Sequence, residues 1–467
     1  MSAAAEGRAE ERSVLSRATI RTHGAIGMPI SMLGYPLAIW IPAYYAGELG
    51  VSIAVVGFWI MIGRFTDVFT DPLVGIWSDH ARTRWGRRKP FIVIGVPVLV
   101  IGVAMLFWPS YIWGDGQMSS IYLFVWISVV WLGWTLIYIP YTAWGAELSP
   151  DYDERSRVAA WREIYYLVGL FVAAAVPTIV EFFVNPGEGR LRLIAFWMGM
   201  VVVVAMPLAV ALVVSRIAEP APTPRSTIPL GRGLLMIAEN RPMVIVMLIL
   251  LIAYGGEAFR NAQSVFFMGD VIGVQNRGAV YLGYFVVGIS GIPLWLALGK
   301  SLGKHKALGI CLIGVAGVST ANFFLRFGDV TPFVILFMLK GLCFGGLLML
   351  PLAMVADVID EDQVRTRENR AGTFFALTGL LRKLSYALGS GGALMIVGLF
   401  GYDPSLGAGN NTPEALFWVQ FNYTLAPAFF FLIAVILLWF YPLTRERQEE
   451  LRMLIERHRE ERLRREA

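Results

Sequence analysis

Charge is scarce in this sequence. Asp, Glu, Lys and Arg make up 16% of its 467 residues, where a soluble chain carries about a quarter. Cysteine is scarcer still. Cys311 and Cys343 are the only two and both lie in apolar stretches, which argues against a disulfide framework and for small buried side chains. Four histidines, His23, His80, His305 and His458, are scattered near loops or ends. With no His/Cys ligand cluster, nucleophile motif or phosphate-cradling loop, an enzyme is not expected, nor is a bound cofactor. Residues 1–22 lack the apolar core of a signal peptide, so no cleavage is expected. The net charge of +5 is not a nucleic-acid signature, because the basic residues are confined to a few short loops.

Long apolar blocks are what the chain does contain. It is 57% hydrophobic, with a mean hydropathy of +0.62. The apolar residues run in blocks and not in amphipathic stripes. A membrane-crossing helix needs roughly 20 of them. Spans are expected at 24–47, 52–79, 90–110, 119–148, 156–184, 191–214, 239–269, 279–300, 306–326, 332–360, 371–400 and 414–441. The fold class is therefore an all-α, multi-pass membrane protein with twelve spans, its main surroundings the lipid bilayer.

Short loops rich in Arg and Lys stay in the cytoplasm. Arg82, Arg84, Arg87, Arg88 and Lys89 follow the second span, Arg155 and Arg157 the fourth, and Arg216, Arg225 and Arg232 the sixth. Lys300, Lys304 and Lys306 follow the eighth, and Arg365, Arg367 and Arg370 the tenth. The intervening loops hold only an occasional basic residue such as Arg277. Every even-numbered span thus exits on one side, with both termini cytoplasmic and the protein in the cell (inner) membrane.

Ser215–Gly233, with four prolines and no long apolar run, reads as a linker. The expected division is an N-terminal six-helix bundle over 1–214, a cytoplasmic linker over 215–234 and a C-terminal six-helix bundle over 235–443. A charged tail helix over 444–467 completes it, with Leu451, Leu454 and Ile455 on one side. The bundles echo one another. "GAELSPDYDERSR" follows the fourth span and "VADVIDEDQVRTR" the tenth, matching Glu147 with Asp357 and Arg155 with Arg365. Arg84, Arg87, Glu147, Arg155, Asp357 and Arg365 are the candidates for a cytoplasmic gate.

Asp67, Thr70 and Asp71 stand at i, i+3 and i+4 in the second span, so all three project from one helix face. Two buried carboxylates repel, and each is costly to desolvate. A monovalent metal ion with hard oxygen ligands, Na⁺ or Li⁺, would relieve both penalties, with Asp67 and Asp71 as its charged ligands. A shared proton would do the same. Pairing with an arginine such as Arg64 is the structural alternative.

"RFTDVFTDPLVGIWSD…RTRWGRRKP", "WTLIYIPYTAWGAEL" and "ADVIDEDQVRTRENRAG" resemble the glycoside–pentoside–hexuronide:cation symporters, the group of the melibiose carrier. They are similar also to the sodium-dependent lysophospholipid carriers of the same fold. The resemblance covers most of the chain. It implies a major-facilitator fold of two six-helix bundles with the substrate site between them. It implies further that the cation is held by Asp67, Thr70 and Asp71 together with Thr135 of span four. Arg162 in span five and Lys383 in span eleven fall on the family's basic positions, with Arg382 as an adjacent competitor for the second role. The acids with which sugar-binding members hold hydroxyls are missing: Met28 and Pro29 stand in span one and Tyr138 in span four, and Thr142 replaces a tryptophan. Tyr35, Trp40, Tyr44, Tyr45, Tyr138 and Tyr141 are the candidates to line a less acidic, more aromatic cavity.

The expected function is symport of a sugar, glycoside or related small organic solute, coupled to Na⁺ or H⁺, by alternating access. The alternative is a cation-coupled carrier of a lysolipid or other amphiphile. The expected substrate residues are Tyr138, Thr142, Arg162 and Lys383. The protein is expected to be a monomer with a small-molecule partner and no nucleic acid.

Overall fold

The computed structural model describes residues 15–114, 116, 118–149, 151–184, 189–220, 230–366, 370–443, 446–448, 450, 451, 453 and 454. Arg225, Arg367, linker positions 221–229 and most of the expected tail helix, Ile455 included, lie outside them. The long helices are α1 (Arg17–Gly47), α2 (Ile53–His80), α3 (Lys89–Phe107), α4 (Ser120–Glu147), α5 (Tyr152–Phe183) and α6 (Arg190–Arg216). They continue as α7 (Arg241–Ile272), α8 (Arg277–Leu302), α9 (Lys304–Asn322), α10 (Val330–Thr366), α11 (Ala371–Leu399) and α12 (Pro413–Leu438). Among the described residues the only strand-like pairing is one bridge, Thr83 with Gly86. A lipid environment dictates this, because backbone groups in hydrocarbon must be satisfied within the segment.

Ten of the helices are long and apolar enough to cross a membrane. The other two, α9 and α11, coincide with the remaining expected spans. The first opens on Lys304, His305 and Lys306, and the second carries Arg382 and Lys383 near its middle. Most boundaries lie within two residues of expectation. The largest departures are α1, which begins at Arg17 behind a Ser16 cap on the Thr19 amide (3.0 Å), and α10, which runs on to Thr366. Apolarity marks where the bilayer ends. A helix continues past that point wherever polar residues keep it hydrated.

Besides α1, which is interrupted at Ala25 and Ile26, two helices break within their length. The first is α2, which divides into Ile53–Phe65 and Asp67–His80 at Thr66, whose hydroxyl donates to the Gly63 carbonyl (2.6 Å). The second is α8, which divides at Gly291. After α2 the chain turns through Gly86 at φ +107°, and the Glu219 carboxylate lies 2.1 Å from where a Cβ would stand. Only glycine fits there. Glu219 accepts the amides of Arg87 and Arg88 (3.0 and 2.9 Å), which ties the chain after α6 to the start of α3.

In the first half α1 packs on α5 and α6, α3 on α4 and α6, and α2 on α4. In the second α7 packs on α11 and α12, α9 on α10 and α12, and α8 on α10. The halves meet through α2 with α11, α5 with α8, and α1 with α7. Their closest approaches lie at the end away from the basic loops. A Cβ on Gly391 would stand 2.7 Å from the Gly57 carbonyl, one on Gly398 2.7 Å from Ala54, and one on Gly278 2.4 Å from the Thr178 amide. Tyr35 meets Tyr281 and Phe285 edge-on at 5.6 Å each. The apolar core follows the same division. One cluster runs from the first half into the far ends of α7, α8, α11 and α12. A second, from Met243 to Leu451, stays within the second half. The halves are thus welded at one end, and a cleft between them is lined by Arg64, Trp131, Ala258, Asn261, Tyr386 and Ser390 among others.

Candidate functional site

The break in α2 makes Asp67 the first residue of a fresh helical segment, and Thr70 and Asp71 follow on the same face. Asp67 is almost fully buried (1% exposed), while Asp71 keeps 17% of its surface. Lys383 of α11 reaches across from the other half and binds both. Its Nζ lies 2.5 Å from Asp71 Oδ2 and 3.1 Å from Asp67 Oδ2. Thr135 of α4 donates its hydroxyl to Asp71 Oδ1 at 2.9 Å. Arg64, one turn before Asp67, sits 3.4 Å from its Oδ2 and lies over the Trp131 ring, 3.4 Å from the centroid.

Two carboxylates therefore face two basic groups, and the charges balance. The hydrogen bonds do not. Asp67 Oδ1 and Thr70 Oγ1 are buried without a hydrogen-bond partner among the described residues. Buried polar atoms left unsatisfied are uncommon, and these two belong to the set expected to hold a cation. The donor chemistry fits a monovalent ion: two carboxylates and two hydroxyls, all hard oxygen. No group of three or more His, Cys, Asp or Glu is placed to hold a metal among the described residues. Any ion held here would share its ligands with threonine hydroxyls and compete with the Lys383 ammonium.

The remaining candidates separate. Arg162 pairs with its neighbour Glu163 (3.0 Å) and not with the aspartates. Tyr138 is half-buried beside Trp134 (6.3 Å) and lies within electrostatic reach of both Arg162 and Arg382. Thr142 spends its hydroxyl on the Tyr138 and Ile139 carbonyls of its own helix (2.9 and 3.0 Å). Of the proposed cavity aromatics, Trp40, Tyr44, Tyr45 and Tyr141 are core residues exposed by 2% or less. Tyr45 donates to Leu106 O and Tyr141 to His23 O, each at 2.9 Å. Apolar α1 is buried on nearly every side, so its rings mainly pack; of them Trp40 lines a separate pocket with Glu48, Glu181, Arg190 and Arg277 and not the cleft beside the aspartates. The aromatic lining comes instead from Trp131 and Tyr386.

At the basic end the ion pairs form within each half. Glu147 binds Arg87 and Arg88, 2.9 Å each, and Arg88 also meets Asp79. Asp357 binds Lys304 (2.5 Å) and the amide of Gln448 (2.7 Å). Arg155 donates to the Asp151 carbonyl (3.3 Å), Arg365 pairs with Asp362 (3.3 Å) and not with Asp357, and Arg84 is exposed. The two acids that the repeat matches thus sit equivalently, Glu147 on the loop after α2 and Asp357 on the loop after α8, while Arg155 and Arg365 bind other partners.

A second buried charge cluster escaped the sequence analysis. Glu257 of α7 binds Lys340 of α10 (2.6 Å) and Arg260 (3.3 Å). Arg260 also donates to Tyr423 (2.8 Å) and Asn261 (3.0 Å), and Lys340 to Tyr284 (3.3 Å). Each is a charged residue inside an apolar span. That signal is readable in "GGEAFRNAQ" and "FMLKGLC", and by itself it argues for function.

Residues 22–445 match the family described as MFS/sugar transport protein. The glucuronide carrier protein homolog of Escherichia coli (strain K12) is 24% identical over 430 residues, covering 89% of this chain and 90% of that one. The sodium-dependent lysophosphatidylcholine symporter 1 of Mus musculus is 22% identical over 485 residues, covering 93% and 87%. Among solved structures, the nucleoside transporter NupG aligns with a TM-score of 0.64 at 13% identity, covering 90% of this chain and 99% of that one. A bacterial homolog of the human lysosomal transporter Spinster, inward-facing and unoccupied, aligns at 0.63 and 12%, covering 91% and 95%. At these identities the structural likeness concerns the fold alone.

Proposed function

The chain belongs to the MFS/sugar transport protein family, and from that premise we propose that it couples solute uptake to a cation through the α2 carboxylates. It is a multi-pass membrane transporter of a small-molecule solute and not an enzyme. In our reading the cation is Na⁺, with H⁺ or Li⁺ as the alternatives, held by Asp67, Thr70, Asp71 and Thr135. The observation that carries this is the Lys383 bridge. One ammonium from the second half occupies the carboxylate pair of the first, beside two buried oxygens that lack a partner.

An ion entering the pair displaces Lys383 and loosens α11 from α2. The solute then binds in the cleft alongside, and the halves rock about the interface of bundles 1–214 and 235–443, with 215–234 as the linker. With both termini cytoplasmic in the inner membrane, the welded end is the outer one and the conformation is inward-facing. The Glu147 and Asp357 clusters then lie at the cytoplasmic gate, drawn back into their own halves. We take the monomer as the working unit.

The relatives' names support a sugar-derived solute. An amphiphile is the second reading, favoured by the apolar wall of Leu37, Ala38, Pro42, Ile60 and Ala258 along the same cleft. The test is thermal stability of the purified protein against Na⁺, Li⁺ and K⁺, beside Asp71→Asn. A ligand of the folded state raises stability by mass action, so a Na⁺-selective rise that Asp71→Asn abolishes is expected. Equal responses to all three ions in the wild type, or an unchanged Na⁺ response in the variant, would refute the assignment.

A further inference from the structure

Helices α6 and α8 both start without a cap of their own. Gly189 precedes the first and Asn276 the second; neither caps through a side chain, and neither first turn holds an acid. The leading amides of a helix have no partner within it and sit at the positive end of its dipole. Each helix therefore takes an acceptor from elsewhere. For α6 it is Glu48, just after α1, whose carboxylate accepts the amides of Leu191 and Arg192 (2.8 and 2.9 Å). That cap lies wholly within the first half. For α8 it is Glu181 of α5, whose Oε2 accepts the Gly278 amide at 2.6 Å. This second cap crosses from one half to the other.

Glu181 is 7% exposed, and a carboxylate buried so far is costly unless something answers it. Its bond sits where the two backbones touch, with the Cβ position of Gly278 2.4 Å from the Thr178 amide. Rocking that opens this end must part α5 from α8 and break the cap. A second partner stands beside it. Arg190, the first residue of α6, donates Nη2 to the Glu181 main-chain carbonyl (3.2 Å), and its Nε is buried with no hydrogen-bond partner among the described residues. Glu181 and Arg190 both line a cavity of about 420 Å³ between the halves, which leaves the carboxylate room to move. The other acids of that cavity are already held, Glu48 by its two amides and Asp270 by the Tyr402 hydroxyl (2.5 Å).

We propose that Glu181 is the latch of the outer gate. Its carboxylate caps α8 across the halves while that end is closed, and swings to the Arg190 guanidinium of its own half when the end opens. The proposal rests on the reading above that the closed end is the outer one. Two discrete positions make the element bistable, as a switching transition requires. One charge-assisted bond replaces another, so opening leaves no buried carboxylate unanswered. Glu48 has no such choice, since it and both its donors move together.

The test reads access to the cleft from each side. Cysteine replaces Ala38, which lines the cleft, and a membrane-impermeant maleimide is added to intact cells or to inside-out vesicles. The two native cysteines are buried, and the parent protein gives the background. Glu181→Gln keeps the shape and removes the charge; labelling from outside should be about tenfold faster. Glu181→Asp keeps the charge but falls one methylene short of the Gly278 amide, and it should also speed labelling. Arg190→Leu should slow it, because the open state loses its partner. Glu48→Gln is the control: it weakens the equivalent cap inside one half, so the thermal midpoint should fall while the labelling rate stays the same.

Rates unchanged on both sides in Glu181→Gln and Glu181→Asp overturn the latch. So does an equal acceleration by Glu48→Gln, which would reduce the effect to helix stability. An Arg190→Leu rate at or above wild type overturns the exchange of partners. Should Glu181→Gln not reach the membrane, Glu181→Asp carries the same test. Faster labelling confined to inside-out vesicles would keep the latch and sink the assignment of the closed end to the outside.

Discussion

Replacing Lys383 by methionine separates two roles that the Lys383 bridge could have. If the ammonium stands in for a cation, its removal frees the carboxylates and Na⁺ should bind more tightly. If it helps to build the ion site, Na⁺ should bind more weakly. The structure favours the first. Nζ lies 2.5 and 3.1 Å from the two carboxylates, as close as an ion ligand and in competition with one. A charge-assisted hydrogen bond is worth about 1.5–3 kcal/mol. Lys383 and Asp71 keep 16% and 17% of their surface, so some of this is lost to screening. A net competition of about 2 kcal/mol is a sensible estimate, which corresponds to roughly 30-fold in Na⁺ affinity. Without Na⁺ the variant should be less stable than wild type, because two carboxylates then face Arg64 alone. Na⁺ should restore that loss, while uphill transport should fail because the displaced group that links the halves is gone. Trp131, beneath the Arg64 guanidinium, offers a fluorescence readout for the titration. An unchanged or weaker Na⁺ affinity in Lys383→Met would refute the competition argument.

Gly391→Leu should prevent closure of the welded end, since even a Cβ there would lie 2.5 Å from Met61 Cβ and 2.7 Å from the Gly57 carbonyl. A cysteine placed at Ala38 in the cleft should then label faster from that end; equal labelling with and without the leucine would contradict the seal. At the basic end, Gln448→Ala and Asp357→Asn should show coupled effects on the thermal midpoint, about 0.5–1.5 kcal/mol short of additive, through their 2.7 Å bond. Strict additivity would mean that the tail contact is incidental.

The helices were legible because a bilayer imposes one simple rule, long apolar runs, and this chain obeys it closely. The repeat was legible for a related reason: Glu147 and Asp357 both stand where an apolar run gives way to charge, as acids that must find a basic partner nearby. The aspartate cluster could be read because two charges on one helix face are too costly to be accidental. The sequence could not reveal which oxygens stay unsatisfied, since that depends on Lys383 arriving from 312 positions away. Nor could it separate lining aromatics from packing ones. Tyr44 and Tyr386 look alike in composition, yet the first is buried against α3-side contacts and the second faces the cleft.

The same contrast explains why single intramembrane charges deserved more weight than the aromatic stripe. A tyrosine in a span costs little wherever it lies, so its position carries little information. Glu257, Arg260 and Lys340 each cost several kcal/mol unless something answers them. Here the answer is another side chain, because Glu257 holds both Lys340 and Arg260.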